Sequence, residues 1–276
     1  MIVSAFAKIN LSLDIVGKRN DGYHLLKTVM QTVDLCDEIS IEKSSEISLT
    51  ASEKDVPTDS TNTAYKAAQN FFEFAKINSG AKIHIEKHIP SQAGMGGASA
   101  DAGAVIYALD KLYDTNLSKE DLLKIGLSVG ADVPFCMLGK TALCEGIGEI
   151  ITPLKSIPDC YIVLCKPESG VSTKSAYLSY DNGECGATSY TDNLLNNFDS
   201  LSGIASNLKN VFEDLCSNPE IDIIKMQMKS AGALGCCMTG SGSVVFGIFD
   251  DKQKAEYCKE QLEEDYPFSC VCKPKN

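Results

Sequence analysis

PSQAGMGGASAD, residues 90–101, stands between two segments of different period. Before it, KIHIEK at 82–87 alternates, with Ile83 and Ile85 on one face, as in a strand. After it, AGAVIYALDKLY at 102–113 has apolar residues at helical spacing. A strand, a glycine loop and a helix start in that order form an anion site, because uncovered backbone N–H groups and the positive end of the helix dipole point the same way. Phosphate is the expected ligand. The loop is not a Walker A loop, since Ala98-Ser99-Ala100 stands where Gly-Lys-Ser/Thr would be, and Ser99 occupies the place of the third glycine of a dinucleotide fingerprint. Taken alone, the stretch also fits a plain glycine turn with Ser99 as helix N-cap.

The 276 residues suffice for one large domain or two ordinary ones, and 44% apolar with 22% charged content is that of a globular chain. No apolar run is long enough to cross a membrane, and MIVSAFAKIN reads as a first strand rather than a signal peptide, so a cytoplasmic location is expected. A net charge of −12 argues against nucleic acid and anionic membranes as partners. An anionic phosphate substrate would then need local cations. The single arginine, Arg19, lies beside Lys18 in GKRNDGYH. Twelve cysteines occur without any Cys-x-x-Cys pair and mostly inside apolar runs such as DCYIVLC, which fits reduced, buried thiols.

Along the chain, residues 5–16 alternate. Ala5, Ala7, Ile9, Leu11, Leu13 and Ile15 face one way, and Lys8 and Asn10 lie on the more polar face of what reads as a half-buried strand. NDG at 20–22 signals a turn into LLKTVMQTVDL; DEISIEK and SEISLTA read as further strands, and Thr61–Ile77 as a helix. In LSKEDLLKIGLSVG, Ser118 is the N-cap, Asp121 sits at N3 and Gly130 is the stop. TALCEGIGEIITPL and YIVLCKP are strand-like, helices are expected near 193–215 and 219–231, and a strand pair flanks the glycine loop in GCCMTGSGSVVFGIFD before a helix at Lys252–Glu264 and a last strand, FSCVCK. This ordering predicts an α+β sandwich with domains at 1–155 and 156–276.

Four constellations carry chemistry. Asp132, in GADVPF, precedes Pro134 and is expected in a turn. Taken alone, Lys8 reads first as a surface strand lysine and second as a cation for a transferring phosphoryl group, and Asp132 first as an Asx-turn and second as the carboxylate that orients a hydroxyl. Tyr23 and His24 could stack on and hydrogen-bond a nucleobase, or simply pack at a strand start. Gly240, Ser241 and Gly242 form a second glycine loop, a tight hairpin or a phosphate contact.

AKINLSLDIVGKRNDGYHLL, P-x-x-AGMGGASAD, GADVPF followed by GIGE, and GSGS-x-VFG occur in the order seen in the GHMP kinases, which the chain resembles from residue 5 to about 250. The block with DGYH resembles the branch that phosphorylates the 2-hydroxyl of 4-diphosphocytidyl-2-C-methyl-D-erythritol (CDP-methylerythritol) in the methylerythritol phosphate route to isoprenoid precursors. The resemblance implies a ribosomal-S5-like N-terminal domain, a ferredoxin-like C-terminal domain and a site in the cleft between them. It implies Lys8 and Asp132 as the catalytic pair, with Lys8 keeping Asp132 ionised. Asn10 would contact the substrate, Tyr23 and His24 would hold the cytosine with Tyr177 as the opposing ring, and Gly240, Ser241 and Gly242 would close on the rest of the substrate. Pro90, Ser91, Gln92, Ala93, Gly94, Met95, Gly96, Gly97, Ala98, Ser99 and Ala100 would wrap the ATP phosphates, with Asn62 and Lys87 on the adenosine side. Mg²⁺ is expected through the nucleotide, and the chain is expected to be a monomer or weak homodimer. The loop departs from the common AGLGGGSSDAA: Ala98 replaces a glycine, and Ala100 leaves Ser99 as the only hydroxyl of the usual serine pair. The other readings are another small-molecule kinase of this family and a nucleotide-binding sensor on the same fold. Retention of Lys8 and Asp132 speaks against the sensor.

Overall fold

The computed structural model describes residues 1–170, 173–183, 189–214 and 218–276. The chain forms two compact units interleaved along the sequence: Met1–Ala7, Leu35–Ser91 and Gly96–Gly139 make the first, and Lys8–Asp34, Gln92–Met95 and Lys140–Asn276 the second. Two long strands, β1 (Ile2–Lys18) and β2 (His24–Ser44), contribute to both. Between them the NDG turn forms as expected, with Gly22 at φ +92° and Arg19 N–H donating to the Tyr23 carbonyl at 2.7 Å. The two strands expected at LLKTVMQTVDL and DEISIEK are one continuous strand. The acidic residues between them do not break it because their groups are matched: Asp34 exchanges hydrogen bonds with Lys273, and Asp37 accepts the N–H groups of His88 and Ile89.

The first unit continues with β3 (Ser48–Ala51), α1 (Thr63–Ala75), β4 (Gly80–Glu86), α2 (Gly97–Tyr113), α3 (Lys119–Val129) and α4 (Val133–Leu138). β4 runs antiparallel to β2, from Glu38 opposite Glu86 to Ser44 opposite Gly80, and β3 lies parallel on its other side. The core joins Ile39, Ile41, Ile83 and Ile85 of the strands to Phe71, Val105, Ile106, Leu109, Ile125 and Val133 of the helices. Ser118 caps α3 on the Asp121 N–H at 3.1 Å, and Gly130 ends it, both as the sequence predicts. One local expectation is corrected and another is extended. The N-cap of α2 is Gly96, at φ +68°, and not Ser99, which lies inside the first turn, because a left-handed residue turns the chain into the helix one step before Gly97. Asp132 lies in a turn as expected, and it is also the N-cap residue of the six-residue α4, since Pro134 falls in the first turn, where its missing N–H leaves no bond unmade.

The second unit contains β5 (Thr141–Gly146), β6 (Ile150–Pro153), β7 (Tyr161–Lys166), α5 (Thr173–Asn182), α6 (Tyr190–Asn196), α7 (Leu201–Ser206), β8 (Lys209–Asn210), α8 (Pro219–Ser230), β9 (Gly235–Met238), β10 (Val245–Phe249), α9 (Lys252–Asp265) and β11 (Phe268–Cys272). β11, β7, β10 and β9 form an antiparallel sheet in that order, with α8 and α9 packed on it. Val163, Cys165, Val245 and Met238 of the sheet meet Ile224, Met228, Cys258 and Leu262 of these helices. β5 pairs with β2 from Leu26 to Gln31 and with β6, and β8 pairs in parallel with β1 at Ser12 and Leu13. The helix expected near 193–215 is broken into α6, α7, β8 and a 3₁₀ turn at Val211–Asp214. Ser200 starts a new helix by accepting the Gly203 N–H at 3.1 Å, a local bond that competes with helix continuation.

The half-buried reading of β1 is also corrected. Its polar face is as buried as its apolar one, with Lys8, Asn10, Ser12 and Asp14 all under 5% exposed. Each has protein partners; Asp14, for one, accepts the N–H groups of Tyr190 and Thr191 at 3.0 and 2.6 Å. The ten described cysteines are free thiols, seven of them buried, and burial pushes Cys165 and Cys258 up to about 12, which keeps them as inert thiols. Cys185 and Cys216 lie outside the described residues. Among the described residues no helix is long and apolar enough to cross a membrane.

Candidate active site

In the second unit both glycine loops meet the polar face of β1. Lys8 Nζ donates to Asn10 Oδ1 at 2.8 Å and to the Gly94 carbonyl at 2.9 Å, while its backbone N–H reaches the Met95 carbonyl at 3.0 Å. Asn10, expected at the substrate, is 1% exposed, and its Oδ1 also receives the Gly240 N–H at 3.0 Å. Asn210 holds the other side of that loop residue, donating from Nδ2 to the Gly240 carbonyl at 2.8 Å. Thr239 Oγ1 accepts the Asn10 N–H at 3.0 Å and lies 3.2 Å from the Gly94 carbonyl. The contact between the loops is backbone on backbone. Gly94 sits at φ +72°, and a β-carbon there would collide with the Thr239 carbonyl; one on Gly240, at φ +57°, would come within 2.7 Å of the Gly94 carbonyl. Only glycine fits at either place.

A second cluster in the same unit surrounds His24. Its Nε2 lies 2.8 Å from Asp181 Oδ1, and Lys18 Nζ reaches the other oxygen at 2.8 Å. Hydrogen bonds from Lys18 and then His24 hold the Asp181 carboxyl below the usual range. Tyr177 of α5 stacks on the imidazole, with centroids 4.9 Å apart and planes inclined by 22°, and Tyr180 meets it edge-on. Tyr23 is 61% exposed. Arg19 does not join this group; it pairs with Asp21 in the turn at 2.7 Å.

In the first unit, α2 begins with no side-chain cap, so its first N–H groups depend on other acceptors. Ala98, where a positive φ would have been costly, has an ordinary helical conformation, and its carbonyl accepts from Thr63 at 2.7 Å. Asn62 caps α1 through Oδ1 on the Ala64 N–H at 2.7 Å and donates to the Pro57 carbonyl. Asp132 is half-buried at the start of α4. Lys87, expected toward adenosine, has a side chain only 5% exposed, and its ammonium lies between Asp37 and Asp101, 3.1 Å from the latter. It sits directly under the start of α2, since a β-carbon on Gly97 would be 3.4 Å from its Nζ.

Two carboxylates around one cation leave an excess negative charge in the interior. Burial pushes the Asp101 carboxyl up to about 7, opposed by the Lys87 charge and aided by Asp37. Burial works the other way on Lys87, but the charges of Asp101 and Asp37 outweigh it and the ammonium is held above its usual range. A carboxyl raised in the native state binds its proton more tightly there than in the unfolded chain. Its contribution to stability is therefore complete below the unfolded value of 3.8 and is lost as pH rises through about 7. Asp101→Asn, which removes this titration, should gain on the parent protein between pH 5 and 8, by about 1–3 kcal/mol across that range. Melting curves of both proteins at each pH measure the difference, and a pH-independent difference would refute the account.

The structure thus brings Lys8, Asn10, Gly94, Gly240 and Thr239 together, and His24 with Tyr177, while Asn62 and Lys87 are engaged within the first unit. Sequence reasoning does not reach Thr28, Thr239, Asn210, Asp181, Asp37 or Asp101. Asp101 and Thr239 alone have a signal, as the residues that adjoin the two glycine loops.

Two family models match, GHMP kinases N terminal domain over residues 62–140 and GHMP kinases C terminal over 192–267. A 4-diphosphocytidyl-2-C-methyl-D-erythritol kinase of Clostridium beijerinckii is 48% identical over 271 residues, covering 96% of this chain and 97% of that protein. The chain belongs to the GHMP kinases. A relative of the same name from Caldicellulosiruptor saccharolyticus is 47% identical, covering 95% of the chain and 93% of its own length. The crystal structure of a 4-(cytidine 5'-diphospho)-2C-methyl-D-erythritol kinase matches all of this GHMP kinase and all of its own chain with a TM-score of 0.80 at 29% identity. The α+β architecture expected from the sequence is therefore that of the GHMP kinases, an ATP-dependent family.

Proposed function

We propose that this GHMP kinase transfers the γ-phosphoryl group of ATP to the 2-hydroxyl of CDP-methylerythritol, giving the 2-phosphate and ADP in the methylerythritol phosphate route. The observation that carries this is near-full-length similarity, at 48% identity, to a kinase named for that acceptor. Asp132 orients the hydroxyl and takes its proton, and Lys8 balances the charge that builds on the transferring group. Asn10 serves the substrate through Lys8. The stretch Pro90–Ala100 wraps the ATP phosphates, supported by the uncapped start of α2. Asn62 and Lys87 shape the adenosine side. His24 and Tyr23 take the cytosine; Tyr177, stacked on His24 itself, backs the imidazole instead of sandwiching the base, and Gly240, Ser241 and Gly242 close on the remaining part of the acceptor.

Among the described residues no group of three or more His, Cys, Asp or Glu forms a metal cage. Mg²⁺ carried by a nucleotide needs none, since phosphate oxygens and water supply most of its ligands, and Ser99, in the first turn of α2, is the remaining hydroxyl of the usual serine pair that could reach it. When bound it neutralises phosphate charge. The family segments 62–140 and 192–267 fall on either side of the expected division at 1–155 and 156–276, whereas the compact units interleave, with Lys8–Asp34 and Gln92–Met95 joining Lys140–Asn276. A cytoplasmic monomer or weak homodimer completes the proposal.

The test is ADP release from MgATP by the purified protein. CDP-methylerythritol should be required, and turnover of homoserine, mevalonate or galactose in its place would overturn the assignment. His24→Ala should raise the KM for CDP-methylerythritol by about 10- to 100-fold, the range for losing a buried hydrogen bond and a stacking face, and leave the KM for ATP within about threefold. Equal effects on both would remove His24 from the cytosine site.

A further inference from the structure

Given the role proposed for Lys8, we infer that Thr28 is a positioning residue for it, acting through the orientation of the Asn10 amide. Thr28 Oγ1 lies 2.5 Å from the Ser12 carbonyl and 2.8 Å from Asn10 Nδ2. A hydroxyl has one proton, and a carbonyl only accepts, so that proton belongs to Ser12. Thr28 can then only accept from Asn10, and the end of the amide that faces it must be the NH₂. The oxygen is thereby turned to the opposite side, where Lys8 Nζ at 2.8 Å and the Gly240 N–H at 3.0 Å both need an acceptor. A flipped amide would set its NH₂ against an ammonium and a backbone N–H, two donors facing a donor, and would place its oxygen against the acceptor side of Thr28.

Burial makes the constraint strong. Thr28 is fully buried and Asn10 is 1% exposed, so the amide relies on its protein partners. The Ser12 carbonyl belongs to β1, the strand that also carries Lys8 and Asn10. The hydroxyl of β2 is thus oriented by β1 backbone and in turn orients a β1 side chain. Lys8 receives a fixed acceptor 2.8 Å away without touching Thr28 itself. Asn10 in this geometry is a lever on the lysine, and the setting of that lever is the Thr28 hydroxyl.

Thr28→Val keeps the shape and removes the hydroxyl. Its kcat should fall by about 10- to 100-fold, the size of effect of a misdirected hydrogen bond to a charged group, with the KM values for ATP and acceptor within about threefold. Thr28→Ser should restore kcat to within about threefold of the parent. In an Asn10→Asp background, whose carboxylate has two like oxygens and no amide to orient, Thr28→Val should add less than about threefold. If the valine variant does not fold, Thr28→Cys, with a poor acceptor in place of the hydroxyl, should lower kcat by at least about threefold at unchanged KM. A parental kcat in the valine or cysteine variant, a rise in KM without loss of kcat, or failure of serine to restore kcat would overturn the inference. The acceptor is fixed first with the parent enzyme: if another sugar or amino alcohol turns over in place of CDP-methylerythritol, the proposed substrate fails, and the same kcat–KM split is read with that acceptor.

Discussion

Asp132→Asn should lower kcat for CDP-methylerythritol phosphorylation by on the order of 10³-fold, while ATP binds within about threefold of the parent affinity. The substitution keeps the size and leaves the start of α4 intact, because the Asp132 side chain makes no cap bond there and Pro134 remains in the first turn. What it removes is the carboxylate oxygen proposed to receive the hydroxyl proton. Nucleotide binding should be spared, since the loop and the α2 start proposed to hold the phosphates do not include Asp132. Steady-state ADP release and calorimetric titration with a non-hydrolysable ATP analogue separate the two quantities. A kcat within tenfold of the parent would take Asp132 out of the proton-transfer role. Equal losses in kcat and nucleotide affinity would make it a structural residue.

Gly94→Ala is the second large effect. At φ +72° an alanine costs about 1 kcal/mol from backbone conformation alone, and its β-carbon would run into the Thr239 carbonyl. Backbone on both sides of the contact cannot rotate away as a side chain could, so one loop must move. The Gly94 carbonyl is also an acceptor for Lys8 Nζ, and Gly240 packs on its Cα and carbonyl. Stability should fall by about 3 kcal/mol, which corresponds to a drop in Tm of roughly 6–12 °C in a domain of this size. The enzyme that remains folded should lose about 10²-fold or more in kcat, because a shift of even 1 Å in a positioning contact has that effect. Thermal melts together with kcat measured well below the new Tm are the check. A variant with parental Tm and kcat would show that the loops tolerate separation and that Lys8 is positioned without Gly94.

The elements with the strongest local signals are legible in the order of residues. The β1 face from Ala5 to Ile15 alternates without interruption and is buried as the alternation requires. Ser118 and Gly130 bound α3 through chemistry confined to a few neighbouring residues. The glycine stretch and its following helix can be placed for the same reason. The failures have three separate causes. Ser99 has the residue type of an N-cap, but the cap is decided by which residue turns left-handed, and Gly96 does so first. The helix near 193–215 breaks at Ser200 through a side-chain bond that competes with the helix ladder. The strand signals on either side of Asp34 and Asp37 merge because distant N–H groups satisfy both carboxylates.

Sequence alone determined the fold class, the place of PSQAGMGGASAD between a strand and a helix, and Lys8, His24, Asp132 and the GSGS loop as the residues to ask about. Those conclusions rest on periodicity, turn chemistry and motif order, which are local properties of the chain. Only the tertiary structure decided what the polar face of β1 is for. Asn10 meets Thr239 and Gly240 across about 230 positions of chain, and Lys8 meets Gly94 across 86. Such contacts leave no periodic trace, because the partner of a buried hydrogen bond is fixed by where two backbones pass and not by the spacing of residues along either one. The same holds for Lys87. As a sequence position it is a lysine beside a phosphate loop; in the structure two buried carboxylates from different elements, Asp37 and Asp101, define its environment and direct it to the base of α2.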